Sequence, residues 1–252
     1  MLVRKRYNLG LRIKIVVLLA LILGGAGYIV FYSPVFKIAE VNVAIAGSDA
    51  AKFSDLIGPD PHGQNLIFWS PLLNAGEHPE IKDLKITKNY FNRSIEVTGS
   101  IRNKKIIWCF IALRDSKSET GNTNKCFWTD ETGYIFAEAP TIEGAAIKMV
   151  NDYRPAPLGL GDIVLPTEMF NNLNSVLNIL TEFNLPVTDV RLEDIKLREF
   201  AVNLEHGPKI IFSLEADPEF IKPAISSLMK SNSWSKINSL NLTVEGRAYP
   251  SF

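Results

Sequence analysis

The sequence predicts an α+β protein in three parts: one N-terminal transmembrane helix, a β-α-α-β-β module, and a C-terminal, mostly antiparallel β domain with two helices. Three observations carry that expectation. Residues 15–32 run through IVVLLALILGGAGYIVFY without a charge. Short stretches beyond them alternate apolar and polar residues between Gly and Pro breaks, the period of a half-buried strand. Two later segments repeat apolar residues at the 3.6-residue spacing of an amphipathic helix.

The apolar run is about 27 Å long as a helix, close to the hydrocarbon thickness of a bilayer. Arg4, Lys5, Arg6, Arg12 and Lys14 precede it with no acid, whereas positions 33–50 hold only Lys37 against Glu40 and Asp49. That asymmetry places 1–14 in the cytoplasm as a tail and the body outside it. A cleaved signal peptide competes with this reading, but the run is longer than a usual signal core and lacks a small-x-small site before Ser33. A buried core helix would be equally apolar, and the basic flank argues against it.

The chain of 252 residues is 46% hydrophobic and 21% charged, an ordinary composition for packed domains. Its formal charge is zero, yet the tail takes five basic residues, leaving 22 of the 27 against all 27 acids. A nucleic-acid binder needs clustered Lys and Arg to displace phosphate counterions, and this mildly acidic body has no such stripe. Nucleic acid is therefore not an expected partner.

Within the first module, 36–103, Val41, Val43 and Ile45 alternate with Asn42 and Ala44 as a strand that Gly47 ends. Ser48 caps a helix expected to Gly58, with Ala50, Phe53, Leu56 and Ile57 on one face. Ser70 and Pro71 open a second helix, ending near Gly76. Leu84 and Ile86, then Ile95, Val97 and Ile101, mark two strands joined by a turn over 89–93.

The second region, 104–249, begins with the apolar run IIWCFIAL and continues after a polar loop into CFWTDETGYIFA, where 130–133 is a turn signal. A helix over 167–183 sets Met169, Phe170, Leu173, Val176, Leu177 and Leu180 on one face. Strands are expected at 188–193, 199–204 and 209–214, then a helix from Asp217 and Pro218 presenting Ile221, Ala224, Ile225 and Leu228. The last strand, SLNLTVEGRAY, buries Leu240, Leu242 and Val244 on one face.

Taken together these segments resemble the FtsQ/DivIB family of bacterial division proteins, which share a cytoplasmic tail, one membrane helix, a POTRA domain and a β domain. The resemblance covers nearly the whole chain. It rests on FKIAEVNVAIAG, on Gln64-Asn65-Leu66-Ile67-Phe68, on HPEIKDLKITKNYFNRSIEVTGSIR, on Asp130, Gly133 and Phe136 as a D-x-x-G-x-x-F pattern, and on LNLTVEGRAY. Two departures stand out: the family's Glu-Arg pair after the POTRA domain is Ile101-Arg102 here, and its closing Asp-Leu-Arg is Asn241-Leu242-Thr243.

The resemblance implies a non-catalytic scaffold of the inner membrane at the division septum. Its implied partners are FtsB/DivIC-like and FtsL-like bitopic proteins, with other divisome components meeting the POTRA domain. A terminal half-polar strand can be extended by a partner's backbone, which makes Ser239, Leu240, Asn241, Leu242, Thr243, Val244, Glu245, Gly246, Arg247, Ala248 and Tyr249 the expected partner-binding segment. The alternatives are an envelope or secretion POTRA protein and an anchored cell-wall enzyme.

No catalytic, cofactor or metal residue is assigned. His78 and Glu80 flank Pro79 without a third ligand nearby, and His62 and His206 read as loop residues. Gly159-Leu160-Gly161 lacks the third glycine and the leading strand of a dinucleotide loop. Asp130 and Glu131 read as turn residues rather than an acid-base pair. Trp69, Trp108, Trp128 and Trp234 read as core anchors rather than a carbohydrate platform. For Cys109 and Cys126 two readings stay open: a disulfide across a hairpin outside the cytoplasm, or two small apolar residues in a core.

Overall fold

The computed structural model describes residues 9–47, 60–71, 78–111, 124–140, 148–231 and 234–252. Helix α1 covers Leu9–Tyr32, and its last 20 residues, Ile13–Tyr32, are long and apolar enough to cross a membrane. The chain is already helical at Leu9, the first described residue and six before the expected position 15, inside the expected tail. Once a helix is nucleated, each added residue gains a hydrogen bond at little cost, so the apolar boundary is not the helical boundary. None of the span is buried by the rest of the protein, with Val16, Leu21 and Leu23 about two-thirds exposed. A soluble core helix would be covered, so that reading of 15–32 is excluded.

The chain divides into two units, Met1–Ile101 and Arg102–Phe252. In the first, β1 (Glu40–Ala46), β2 (Ile81–Asn89) and β3 (Ser94–Ile101) form a sheet of order β1-β3-β2, with β1 parallel and β2 antiparallel to β3. Alternation puts Ile45, Ile95 and Val97 on one face, where they pack with Ile38, Leu66, Trp69 and Ile81. Gly99 is needed for close approach rather than for a turn: a Cβ there would lie 2.8 Å from Ile81 Cγ2. The helix expected over 48–58 lies outside the described residues, as does 72–77 of the second; Ser70 and Pro71 themselves are irregular chain.

The second unit is built on one mixed sheet of nine strands. In chain order these are β4 (Ile106–Phe110), β5 (Lys125–Thr129), β6 (Ile135–Ala139), β7 (Met149–Asp152), β8 (Val187–Leu192), β9 (Glu199–Leu204), β10 (Lys209–Ser213), β11 (Ser239–Leu242) and β12 (Tyr249–Ser251). Their spatial order is β12-β11-β10-β9-β8-β7-β4-β5-β6. The pairs β10·β11, β4·β7 and β7·β8 are parallel and the other five antiparallel.

Helices α2 (Thr167–Glu182) and α3 (Ile221–Lys230) supply the cover for one face. Phe170, Leu173, Val176, Leu177 and Leu180 of α2 are buried as the period requires, and Ile179 joins them, whereas Met169 is only partly buried. On α3, Ile221 and Ile225 are buried, with Ala224 and Leu228 at the margin. Full burial of side chains such as Phe170 and Leu173 stabilises by roughly 1.5 to 3 kcal/mol each. Asp217 starts this segment as expected, its carboxylate accepting from the Glu219 N–H, and a 3-10 turn at Pro218–Phe220 precedes the helix.

Strand β4 explains why IIWCF is continuous rather than alternating. Ile106, Trp108 and Phe110 join the core under the helices, while Ile107 and Cys109 join a second cluster with Cys126 on the opposite face. A strand buried on both sides has no polar face to show. Cys109 and Cys126 face each other across β4 and β5 and form a disulfide.

Candidate functional site

The last segment of the chain is not the single open strand that the sequence suggested. Of the eleven residues 239–249, only Ser239, Leu240, Asn241 and Leu242 lie in β11, and β11 is paired on both sides, parallel to β10 and antiparallel to β12. Thr243, Val244, Glu245, Gly246, Arg247 and Ala248 form the connection that returns the chain, and Tyr249 opens β12. The expected strand fails physically at Asn241. Its Oδ1 accepts from both the N–H and the hydroxyl of Thr243, at 3.0 and 2.7 Å, and so draws the backbone out of the ladder. Gly246 then takes φ +69°, the left-handed turn conformation that glycine adopts without strain.

One border of the sheet is thus β12, with all three residues exposed; the other is the partly buried β6. Its register pairs Asn241 with Tyr249, Leu240 with Pro250, and Ser239 with Ser251. Antiparallel pairs alternate between mutually hydrogen-bonded and non-bonded. Pro250 has no N–H to donate, so it occupies the non-bonded position and its peptide groups point away from β11, toward the open side. The free border therefore offers the Pro250 carbonyl but lacks the central donor that any other residue would supply. Tyr249 in β12 and Phe252 just after it are 49% and 69% exposed, and Val244 in the connection before it is 47% exposed.

Asp130, Gly133 and Phe136 hold the turn between β5 and β6. The Asp130 carboxylate is buried and accepts from the Thr132 N–H and hydroxyl, at 2.8 and 2.7 Å, from the Tyr134 N–H, and from Arg102. Burial pushes its pKa up, but the Thr132, Tyr134 and Arg102 hydrogen bonds outweigh it and hold the carboxyl below its ordinary value. Gly133 has φ +82°, and a Cβ there would lie 3.0 Å from the Phe170 ring. Phe136 is buried. Arg102 pairs with the Asp130 carboxylate and stacks 4.1 Å over the Tyr134 ring.

A second buried carboxylate escaped the sequence reading. Asp152 accepts from the Trp108 indole N–H at 2.8 Å and from the Arg154 backbone N–H and guanidinium. Arg154 also donates to the Val164 carbonyl at 2.8 Å. Both oxygens of the carboxylate accept hydrogen bonds from within the unit, which joins β4, β7 and the chain after β7. The available signal was an Asp two residues from an Arg; its decisive partner is 44 residues away.

The remaining candidates are placed as follows. His62 lies 2.5 Å from Asp60 and His78 3.0 Å from Glu80, each as an isolated pair, while His206 is exposed. Among the described residues no three His, Cys, Asp or Glu side chains come together as metal ligands. The Gly159 N–H bonds the Asp162 carboxylate within a turn. Trp69 and Trp108 are buried, Trp234 packs against the main core, and Trp128 lies under Lys104 at 5.1 Å. Arg191, Glu193, Glu199 and Lys209 line a shallow groove, where Arg191 pairs with Asp189 and Lys209 with Glu193.

The described residues define a mixed α/β protein with two β-sheets and three α-helices, one of which is apolar and long enough to cross a membrane. No family model matches the chain, and no curated protein matches it.

Proposed function

We propose that this chain is a membrane-anchored, non-catalytic scaffold of the FtsQ/DivIB type, with its N-terminus cytoplasmic and both units outside, acting in assembly of the division septum. The first unit is read as the POTRA domain and the second as the β domain. An FtsB-like segment adds to the β12 border, and an FtsL-like partner accompanies it. The observation that carries this reading is the exposed β12, at one border of a nine-stranded sheet, with exposed Tyr249 in it and exposed Phe252 beside it in sequence. An unpaired border beside exposed aromatic groups is what strand addition requires: backbone groups for affinity and side-chain contacts for choice of partner. The docking segment is therefore moved from 239–249 to 248–252.

A fluorescent fusion of the full chain in dividing cells tests the role. Accumulation at midcell is expected, and an even distribution around the envelope contradicts it. Deletion of 249–252 is expected to abolish co-purification of the FtsB-like partner, since it removes the border while leaving α1 in place.

A further inference from the structure

The first unit carries a group of exposed apolar side chains that neither its core nor the β12 reading uses. Ile67 and Phe68 sit in one loop, at 36% and 56% exposure, and Tyr90 and Phe91 in the β2–β3 turn, at 52% and 100%. Single exposed apolar residues are ordinary on a protein surface. Here the topology brings both loops to one end. Because β1 runs parallel to β3, with Glu40 opposite Ser94, the turn preceding β3 lies where the chain arrives from α1. The Arg93 side chain donates to the Pro34 carbonyl at 3.0 Å, just beyond the helix.

The other loop is tied to α1 directly. The Asn65 side chain donates to the Val30 carbonyl, satisfying one of the acceptors left open at the helix end. The Leu66 N–H donates to the Phe36 carbonyl at 2.7 Å and the Ile38 N–H to the Gln64 carbonyl at 2.9 Å. Phe68 stacks on Phe31 with centroids 4.9 Å apart and planes 10° from parallel. Phe31 belongs to the last turn of the span, so Phe68 lies at the depth of that turn. Lys37 and Arg93, both exposed, flank these groups.

We propose that the first unit rests on the bilayer through Ile67, Phe68, Tyr90 and Phe91, which enter the interfacial layer around the exit of α1 while Lys37 and Arg93 meet the lipid phosphates. The occupant of this surface is lipid. Aromatic rings are favoured at the membrane–water boundary and long cationic side chains reach the headgroups from it. The inference rests on α1 being a membrane span, and its consequence is that the unit is held against the membrane by three attachments rather than hanging from one.

Nitroxide labelling of the full chain in phosphatidylcholine vesicles, at low protein-to-lipid ratio, tests this. Both native cysteines are in the disulfide, so a single new cysteine takes the label. Leu21→Cys reports the span, Phe91→Cys the contact, and His206→Cys an aqueous reference. Phe91 is fully exposed, so its replacement leaves packing intact. The expected result is a Phe91→Cys label reached more by oxygen than by a water-soluble nickel chelate, as for Leu21→Cys and unlike His206→Cys. A Leu21→Cys label in lipid with Phe91→Cys matching His206→Cys overturns the contact alone. A water-exposed Leu21→Cys label overturns the anchor and the contact with it.

Discussion

The two units solve the burial problem differently. The nine-stranded sheet runs its interior strand β4 through apolar surroundings on both faces, and its buried acids, Asp130 and Asp152, are partnered by groups of the same unit. The three-stranded sheet has a small cluster around Ile95, Val97 and Trp69, and it leaves aromatic rings exposed at the end where α1 arrives. The sheet of the larger unit is bordered by β12 and β6, and β12 is exposed along all three of its residues. The smaller unit gathers exposed apolar side chains in the two loops tied to the end of α1. Under the two proposals made above, that difference assigns a polypeptide to the β12 border of the large sheet and a lipid surface to the end of the small one.

Breaking the large core is expected to have the largest effect. Trp108→Ala removes a fully buried indole and leaves Asp152 one donor short, so a loss of about 3 to 5 kcal/mol is expected in denaturant unfolding of the second unit. Hydrogen exchange in β1 and β3 should be unchanged, since the first unit has its own cluster. Removing the disulfide with Cys109→Ala and Cys126→Ala comes next, at about 2 to 4 kcal/mol for bridged residues 17 apart in sequence, read as a fall in melting temperature. Reductant should produce the same fall in the native chain and none in the double variant.

Asp130 sharpens the comparison through pH. Its folded pKa is depressed, so its contribution to stability is fully present above the unfolded value of about 3.9 and is lost as pH falls through the lower folded value. Asp130→Asn is expected to cost about 2 kcal/mol at pH 7, because Arg102 loses its carboxylate, and to flatten the acid limb of the stability profile. Smallest of all, Pro250→Thr restores an N–H to the open side of β12. It is expected to tighten partner binding, measured by titration calorimetry, by about 1 kcal/mol or less, the worth of one hydrogen bond.

Much of the framework was legible because the pattern was local. Val41, Val43 and Ile45 alternate, Phe170 to Leu180 keep a helical period, and Asp130 with Gly133 marks its turn. What escaped depends on distant partners. Strand β7 has only four residues and ends in Asp152, a residue rarely buried unless partnered; Trp108 and Arg154 make it tolerable, and no window of sequence contains all three. Strand β12 contains Pro250, which argues against a central strand but fits a border, so proline was the available signal for the edge. The expected open strand over 239–249 read Leu240, Leu242 and Val244 as one face, although the Asn241–Thr243 hydrogen bonds divide them.

Hydrogen–deuterium exchange of the full chain, alone and with the proposed FtsB-like partner, addresses the central claim most directly. New amide protection confined to 248–252, with β11 unchanged because it is already paired on both sides, is the predicted result. Protection that appears elsewhere in the second unit while 248–252 exchanges freely would contradict the account.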